Sequence, residues 1–532
     1  MVEFATMKST PRTLTRQEWT RLILGMTLVL GLVVRIFPLL LAGFPLNDGG
    51  MFLVMIRDLR ANSFVLPAFT TYNLSNIPFA YPPLGFYAGA ILNVLGVREL
   101  DILKWLPASM NIASVLAFFL LARSLLKDGP RAAIATLVYA LVPGSFAWQI
   151  MGGGLSRSFG MLFILLANYS VYRVFQEGKW KWVWIAILFC SLSVLSHPEV
   201  ALATATSCAL FWAFFGRSKR GSLQATVIAF GTLLLTALWW GSVITAHGLA
   251  PFQAVLHSGA YVANPLRTIV VEFFAFDLWT GLFHILFLIG LAWSLFRKQF
   301  FLPLWVILPY FVEPRSAPAF AYIPESILAA QALVDGLLLV GDRFRKRNVG
   351  PAGPPEFIQR NEANVVVLVL LFLWFLQSSF FGFRLANTSL RPPEPQEAMT
   401  WARQNVAGGS EFVIITGNRG VMTDPLQEWF PALAERNSRT TLQGLEWTLG
   451  PQFFPRLKEL ADLQPCQDVQ CLEVWSARTG LTYSHLLLER NDATEPVIHS
   501  LLAADGYRLL YENGDYLIFE KVNEKPRAPL RG

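Results

Sequence analysis

Long apolar stretches recur through the first 383 residues, separated by short polar and often basic breaks. Runs near 22–42, 102–123, 132–150, 157–175, 181–196, 199–215, 223–244, 280–296, 300–313, 322–341 and 364–383 predict roughly eleven spanning helices, because about 20 apolar residues cross a bilayer. The 300–313 run only just reaches, which fixes the number to within roughly one or two spans. Residues 82–97, from Pro82-Pro83-Leu84 to Val97, are too short to cross and predict a surface-lying or re-entrant helix. Beyond Phe383 the pattern turns polar and stays so. It predicts a helix over Pro395–Asn405, strands at Phe412–Thr416 and His485–Leu488, a helix over Glu495–Asp505, and a hairpin of Tyr507–Tyr511 with Tyr516–Lys521. Asn513-Gly514 marks that hairpin, since both residues accept the positive φ of a tight turn. The expected architecture is thus an α-helical polytopic membrane domain, residues 1–383, followed by a small α/β domain, residues 384–532.

Composition supports the membrane reading: 54% of the 532 residues are hydrophobic and 15% charged, with a mean hydropathy of +0.45. Such a chain has too little polar surface to be hydrated on all sides. The net charge of +7 changes the picture only by its placement. Arg123/Lys127/Arg131, Lys179/Lys181, Arg217/Lys219/Arg220, Arg297/Lys298 and Arg343/Arg345/Lys346/Arg347 fall on alternate short loops. That is the distribution of cytoplasmic loops rather than of a nucleic-acid surface, so nucleic-acid binding is excluded. The basic segment through Arg21 predicts a retained first helix with a cytoplasmic N-terminus in the cell (plasma) membrane. Residues 384–532 then lie on the extracytoplasmic side. The stretch Val349–Glu362, rich in Gly and Pro, reads as a connector. Cys190 and Cys208 sit in apolar runs; Cys466 and Cys471 flank a polar segment. The latter pair either bridges in an oxidising compartment or stays as two thiols, and nearby histidines for metal ligation are lacking.

The opposite loops hold the unusual polar residues. Pro45-Leu46-Asn47-Asp48-Gly49-Gly50 puts a carboxylate at the membrane edge beside glycines that permit close approach of a substrate. Asp48 is the leading catalytic candidate, as a general base for a hydroxyl acceptor; a helix cap is the alternative. Asn47 flanks it, and Tyr81 begins the rigid Tyr81-Pro82-Pro83 element farther along the same loop. Gly152-Gly153-Gly154 with Ser156 and Arg157 offers backbone amides and a guanidinium to a phosphate, or simply turns the chain while Arg157 reaches the interface. His197-Pro198-Glu199 can bind a sugar, a proton or a metal ion, or be a polar turn between spans. Glu313 and Arg315, with Tyr322 and Glu325, form another outer cluster in which Arg315 can neutralise phosphate or pair with Glu313. Asp277, His247 and His257 are weaker, solvent-facing or capping candidates. Asp424–Pro431 and Thr441–Trp447 alternate rings with acids and amides, which suits either sugar stacking or docking of the second domain onto the bundle.

A first helix, an acidic residue just outside it and a Tyr-Pro-Pro-Leu element before a short helix together resemble the GT-C superfamily of polyprenyl-phosphate-sugar-dependent glycosyltransferases, among them protein O-mannosyltransferases and lipid A aminoarabinose transferases. The layout is also similar to uncharacterised bacterial membrane proteins labelled as related to 6-pyruvoyl-tetrahydropterin synthase, although no histidine triad for pterin chemistry is present. The GT-C resemblance implies transfer of a sugar from a polyprenyl-phosphate donor to a glycan, lipid or protein acceptor outside the membrane. Asp48 would be catalytic, and Asn47, Tyr81, Arg157, His197, Glu199, Glu313, Arg315, Tyr322 and Glu325 would line the substrate site. The family commonly pairs two acids in the first loop where this chain has Asn47-Asp48, so no metal ligands are assigned and a divalent ion is left open. A transporter or flippase of lipid-linked material and a noncatalytic scaffold are the rival readings.

Overall fold

The computed structural model describes residues 15–259, 264–274, 280–345, 361–391 and 393–522. Asp277, Lys346, Arg347 and most of the 349–362 connector lie outside the described residues, as does the side chain of His257.

Each of the eleven apolar runs is helical. The chain opens with α1 (Arg16–Ala42), the short α2 (Gly50–Ala61), a two-stranded ribbon of β1 (Phe69–Thr70) and β2 (Ile77–Pro78), and α3 (Leu84–Val94). It continues through α4 (Glu99–Leu126), α5 (Gly129–Leu141), α6 (Gly154–Glu177), α7 (Trp180–Val194), α8 (Pro198–Phe215) and α9 (Lys219–His247). After α10 (Ala250–Gly259) and α11 (Pro265–Phe274) come α12 (Gly281–Phe296), α13 (Phe301–Val312), α14 (Ala317–Arg345) and α15 (Asn361–Ala386). Among the described residues six helices are long and apolar enough to cross a membrane, or up to eight if each of two bent pairs is one span. Part of the shortfall from eleven is a matter of length, α7 having only 15 residues, and part is geometric. The 132–150 run breaks after Leu141 and turns by 85°, and α12 and α13 are short helices bent 119° from one another. α3, 11 residues long, rises only about 16 Å and cannot cross.

The break after α5 explains a buried charge. Arg35 of α1 is fully buried, although a cation inside an apolar bundle is strongly disfavoured unless its donors are satisfied. Its Nε donates to Asn111 Oδ1 (2.5 Å), Nη1 to the carbonyls of Gly31 (3.1 Å) and Ala140 (2.7 Å), and Nη2 to Ser145 Oγ (3.3 Å). Asn111 in turn donates to the Ser145 carbonyl at 3.0 Å, and Phe146 lies 5.0 Å below the guanidinium. Arg35 and Asn111 therefore hold backbone that an interrupted helix leaves without partners. This bracing delivers the following residues, Gly152–Arg157, to the end of the bundle.

The C-terminal region folds as α16 (Glu394–Asn405), β3 (Glu411–Ile415), α17 (Pro425–Ala434), β4 (Asn437–Ser438), α18 (Phe453–Leu463), α19 (Val469–Thr479), β5 (His485–Glu489), α20 (Glu495–Leu502), β6 (Tyr507–Asn513) and β7 (Tyr516–Lys521). The strands make one mixed sheet in the order β4-β3-β5-β7-β6, with β3 parallel to β4 and β5, and β7 antiparallel to β5 and β6. Gly514 turns the β6–β7 hairpin at φ +47°. Cys466 and Cys471 are joined in a disulfide. One face of this sheet does not close on itself. Phe412, Ile414, Trp429, Phe430 and Leu487 share an apolar cluster with Phe44, Met51, Phe52, Leu53 and Ile56 of the first loop. The first loop and the C-terminal region thus share a core.

Candidate active site

Asp48 sits where the first loop meets the start of α6. It is 8% exposed, and its Oδ1 accepts from the Gly153 amide at 2.9 Å. Arg157 Nη2 stands 3.8 Å from Oδ2. The contact needs glycine: a Cβ on Gly153 would fall on the Asp48 carboxylate. Asp48 thus holds the first turn of α6, from a loop more than a hundred residues earlier, and does not cap α2, the helix that follows it. That role is taken by Glu428 of α17. Glu428 Oε2 accepts from the amides of Gly49 (2.9 Å) and Gly50 (2.8 Å), and Oε1 from Met51 (3.0 Å). A carboxylate at a helix N-terminus satisfies donors that otherwise lack partners and meets the positive end of the helix dipole. Burial, and next the Asp48 carboxylate, push the Glu428 pKa up to about 8 against the three amides that draw it down.

The surrounding contacts fix the same junction. Trp429 Nε1 donates to the Asn47 carbonyl at 2.8 Å, and the Tyr72 hydroxyl donates to the Glu428 carbonyl at 2.6 Å. Asn73 and Ser438 exchange a pair of bonds, Nδ2 to carbonyl at 3.0 Å and amide to Oδ1 at 2.6 Å. The 424–431 segment therefore docks the C-terminal region onto the first loop. The Asn47 amide lies 3.5 Å from Met151 Sδ, which ties Asn47 to the loop's own packing.

Arg157 links Asp48 to a second group of residues. Its guanidinium lies 5.5 Å over the Trp148 ring, with Nη1 3.3 Å from the Trp148 carbonyl. Arg157 and Arg315 both lie within electrostatic reach of Tyr81, His197, Glu199 and Glu446. Tyr81 packs edge-on to Trp447 at 5.2 Å and to His197 at 6.0 Å. Burial raises the Tyr81 hydroxyl above its usual range. His197 caps α8: its Nδ1 accepts from the Glu199 amide at 3.3 Å. Burial lowers its pKa to about 4, while the Glu199 carboxylate opposes that shift. The imidazole is therefore neutral near pH 7 and accepts rather than carries charge. Glu313 follows α13 and interacts with Glu199 and Arg315; burial first, then Glu199, raise its pKa to about 6.

Eight predicted residues, Asn47, Asp48, Tyr81, Arg157, His197, Glu199, Glu313 and Arg315, thus gather at one end of the bundle. Tyr322 and Glu325 belong elsewhere. The Tyr322 hydroxyl donates to Glu272 Oε1 at 3.0 Å, and Glu325 is fully buried in α14 with Glu272 as its charged neighbour. Pro324 lies between them within α14. His247 bonds the Ala68 carbonyl at 2.7 Å and packs on Phe69 at 4.8 Å, which makes it a brace for the ribbon. Among the described residues no three His, Cys, Asp or Glu side chains gather as metal ligands. Glu428 brings a second carboxylate beside Asp48, but both its oxygens are occupied by amides.

Sequence reasoning missed Arg35 and Glu272 altogether. For Arg35 a signal exists, since an arginine within an apolar run announces a specific partner set.

No protein-family model and no curated protein matches the chain. Solved structures do. The archaeal oligosaccharyltransferase AglB from Archaeoglobus fulgidus, in complex with an inhibitory peptide and a dolichol-phosphate, superposes with a TM-score of 0.57 at 15% identity, covering 97% of this chain and 76% of that one. ArnT from Cupriavidus metallidurans, bound to undecaprenyl phosphate, gives 0.54 at 15% identity over 95% of this chain and 98% of that one. The mycobacterial arabinofuranosyltransferase AftD gives 0.52 at 16% identity over 96% of this chain and 40% of that one. At these identities the likeness is one of fold: a multi-span helical membrane protein built like the GT-C glycosyltransferases, with a small C-terminal mixed sheet.

Proposed function

We propose that the protein is an integral membrane glycosyltransferase that moves a sugar from a polyprenyl-phosphate donor to a hydroxyl acceptor on the extracytoplasmic face. The observation that carries the reading is the placement of Asp48 between the Gly153 amide and the Arg157 guanidinium, at the end of a GT-C-like bundle. Oδ1 is fixed by the amide and Oδ2 is left for an acceptor proton. In the reaction Asp48 takes that proton, the acceptor oxygen attacks the anomeric carbon, and the bond from that carbon to the phosphate oxygen breaks with inversion. The departing polyprenyl phosphate gains a second negative charge as it becomes a monoester, which Arg157 and Arg315 stabilise. Tyr81, held edge-on by the buried Trp447, offers a ring to the sugar, and Glu446 offers a hydrogen-bond acceptor. The structural relatives support the donor class, since AglB and ArnT were solved with dolichol-phosphate and undecaprenyl phosphate. The reading sets the N-terminus in the cytoplasm and residues 384–532 outside.

Asp48→Asn in purified, reconstituted protein tests it. Incubation with isotope-labelled lipid extract is expected to release free polyprenyl phosphate with wild type and roughly a hundredfold more slowly with the variant. Undiminished release by the variant removes Asp48 from the chemistry. Accumulation of label across the bilayer without release indicates transport instead.

A further inference from the structure

At the opposite end of the bundle, two open clefts share a wall. One of about 480 Å³ lies between α4 and α6 and is lined by Leu120, Arg123, Lys127, Tyr169 and Arg173 among others. The second, of about 610 Å³, lies between α1 and the α4–α5 turn and includes Arg21, Leu24, Phe119, Arg123, Lys127 and Asp128. Arg123 and Lys127 belong to both. From Arg157 to Arg173 along α6 is 16 residues, about 24 Å, so these clefts are far from Asp48.

Three observations say what they hold. First, the neighbouring cations are neutralised: Arg16 pairs with Asp128 at 2.6 Å, Arg131 with Asp335 at 2.9 Å, and Arg173 with Glu177. Arg21, Arg123 and Lys127 have no carboxylate partner among the described residues. Second, Arg123 and Lys127 close the C-terminal turn of α4, with Lys127 in the left-handed conformation at φ +54°. Both are exposed and free to meet an anion. Third, each cleft changes character along its helices. Leu120 lies one turn below Arg123 on α4, and Leu24 one turn below Arg21 on α1, both toward the apolar interior of the span. Cations at the rim above apolar walls match an amphiphile with an anionic head and hydrocarbon tails.

We propose that these paired clefts bind the phosphate headgroup of an anionic phospholipid, held between Arg123 and Lys127 with Arg21 at its edge. The proposal is independent of the sugar-transfer reading, because it needs neither the donor nor Asp48.

Native mass spectrometry of the full chain in detergent, titrated with short-tailed phosphatidylglycerol or phosphatidylcholine, tests it. Phosphatidylglycerol is expected to remain bound at concentrations where phosphatidylcholine does not. Arg123→Gln or Lys127→Gln alone should weaken phosphatidylglycerol binding about fivefold, and the pair roughly thirtyfold, as expected for about 1 kcal/mol per cation. Arg217→Gln/Lys219→Gln, at another exposed basic turn, should leave it unchanged. The single variants keep the test usable if the double variant is poorly folded. Equal binding of the two lipids, or equal loss in the Arg217/Lys219 variant, overturns the proposal. Displacement of phosphatidylglycerol by an equal concentration of inorganic phosphate overturns it in favour of a soluble anion.

Discussion

Arg35 and Arg157 both lie toward the same end of the bundle, yet one guanidinium is enclosed by its partners and the other is partly open. Arg35 is fully buried, and four oxygens accept from its three nitrogens. Those partners are carbonyls, an amide and a hydroxyl, with no carboxylate among them, and two of the four, Ala140 and Ser145, belong to the broken end of α5. Arg157 is partly exposed and has one 3.3 Å carbonyl contact and one loose ion pair at 3.8 Å. The first guanidinium uses four of its five N–H donors and is fully buried, so it cannot take a ligand without rearranging the helix break. The second keeps donors unused, which is what the proposed phosphate role requires.

The comparison can be broken at either arginine. Arg35→Met removes donors from buried acceptors, and the loss of a buried charge network is expected to destabilise the protein by about 3–5 kcal/mol. Thermal unfolding in detergent measures it, and a variant within 1 kcal/mol of wild type would falsify the bracing role. Next in size is the junction that seats Asp48. Glu428→Ala leaves three helix-start amides without their acceptor, at roughly 1–3 kcal/mol. Hydrogen exchange at Gly49–Met51 should accelerate.

The same junction carries a pH dependence with a defined sign. The Glu428 pKa is raised to about 8, so the docked state holds a proton that the undocked carboxyl releases above its ordinary range. Stability from this source is complete below about pH 4.5 and is lost as pH rises through 8. Thermal scans of wild type should fall across that interval, whereas Glu428→Gln should run flat.

A subtler contrast lies in Arg157→Lys. It keeps charge but loses the planar fork, and donor KM should rise roughly tenfold, while an Arg35→Lys change should register in unfolding rather than in KM. Smallest is the effect at Glu313, whose pKa is raised to about 6. Protonation below that value removes a negative charge beside Arg315. Donor binding should therefore tighten by a few-fold between pH 7 and pH 5. Glu313→Gln should erase the difference.

Local pattern sufficed for the helices because a span is announced by its own residues: all eleven apolar runs became helices, and the hairpin formed with its two-residue turn at Gly514-Asp515, one residue later than Asn513-Gly514. It could not register the bends. The breaks after Leu141 and between α12 and α13 depend on packing against neighbours far along the chain. At the site, Asp48, Arg157 and His197 were each visible as polar residues at span ends, and the fold brings them together. Tyr322 and Glu325 looked equivalent by that criterion, yet α14 carries them toward Glu272. The seating of Asp48 was hidden for another reason. Gly49 and Glu428 are 379 positions apart, and nothing near either residue names the other.

That separation has a consequence for biogenesis. The loop bearing Asp48 emerges early in synthesis, but its amides at 49–51 meet their acceptor only after the chain has been extended to residue 428 and threaded to the same compartment. A nascent polypeptide halted at the end of α15 would own every helix of the bundle and still lack the acceptor for those amides, so on the proposed reading the seat of Asp48 is completed late in assembly.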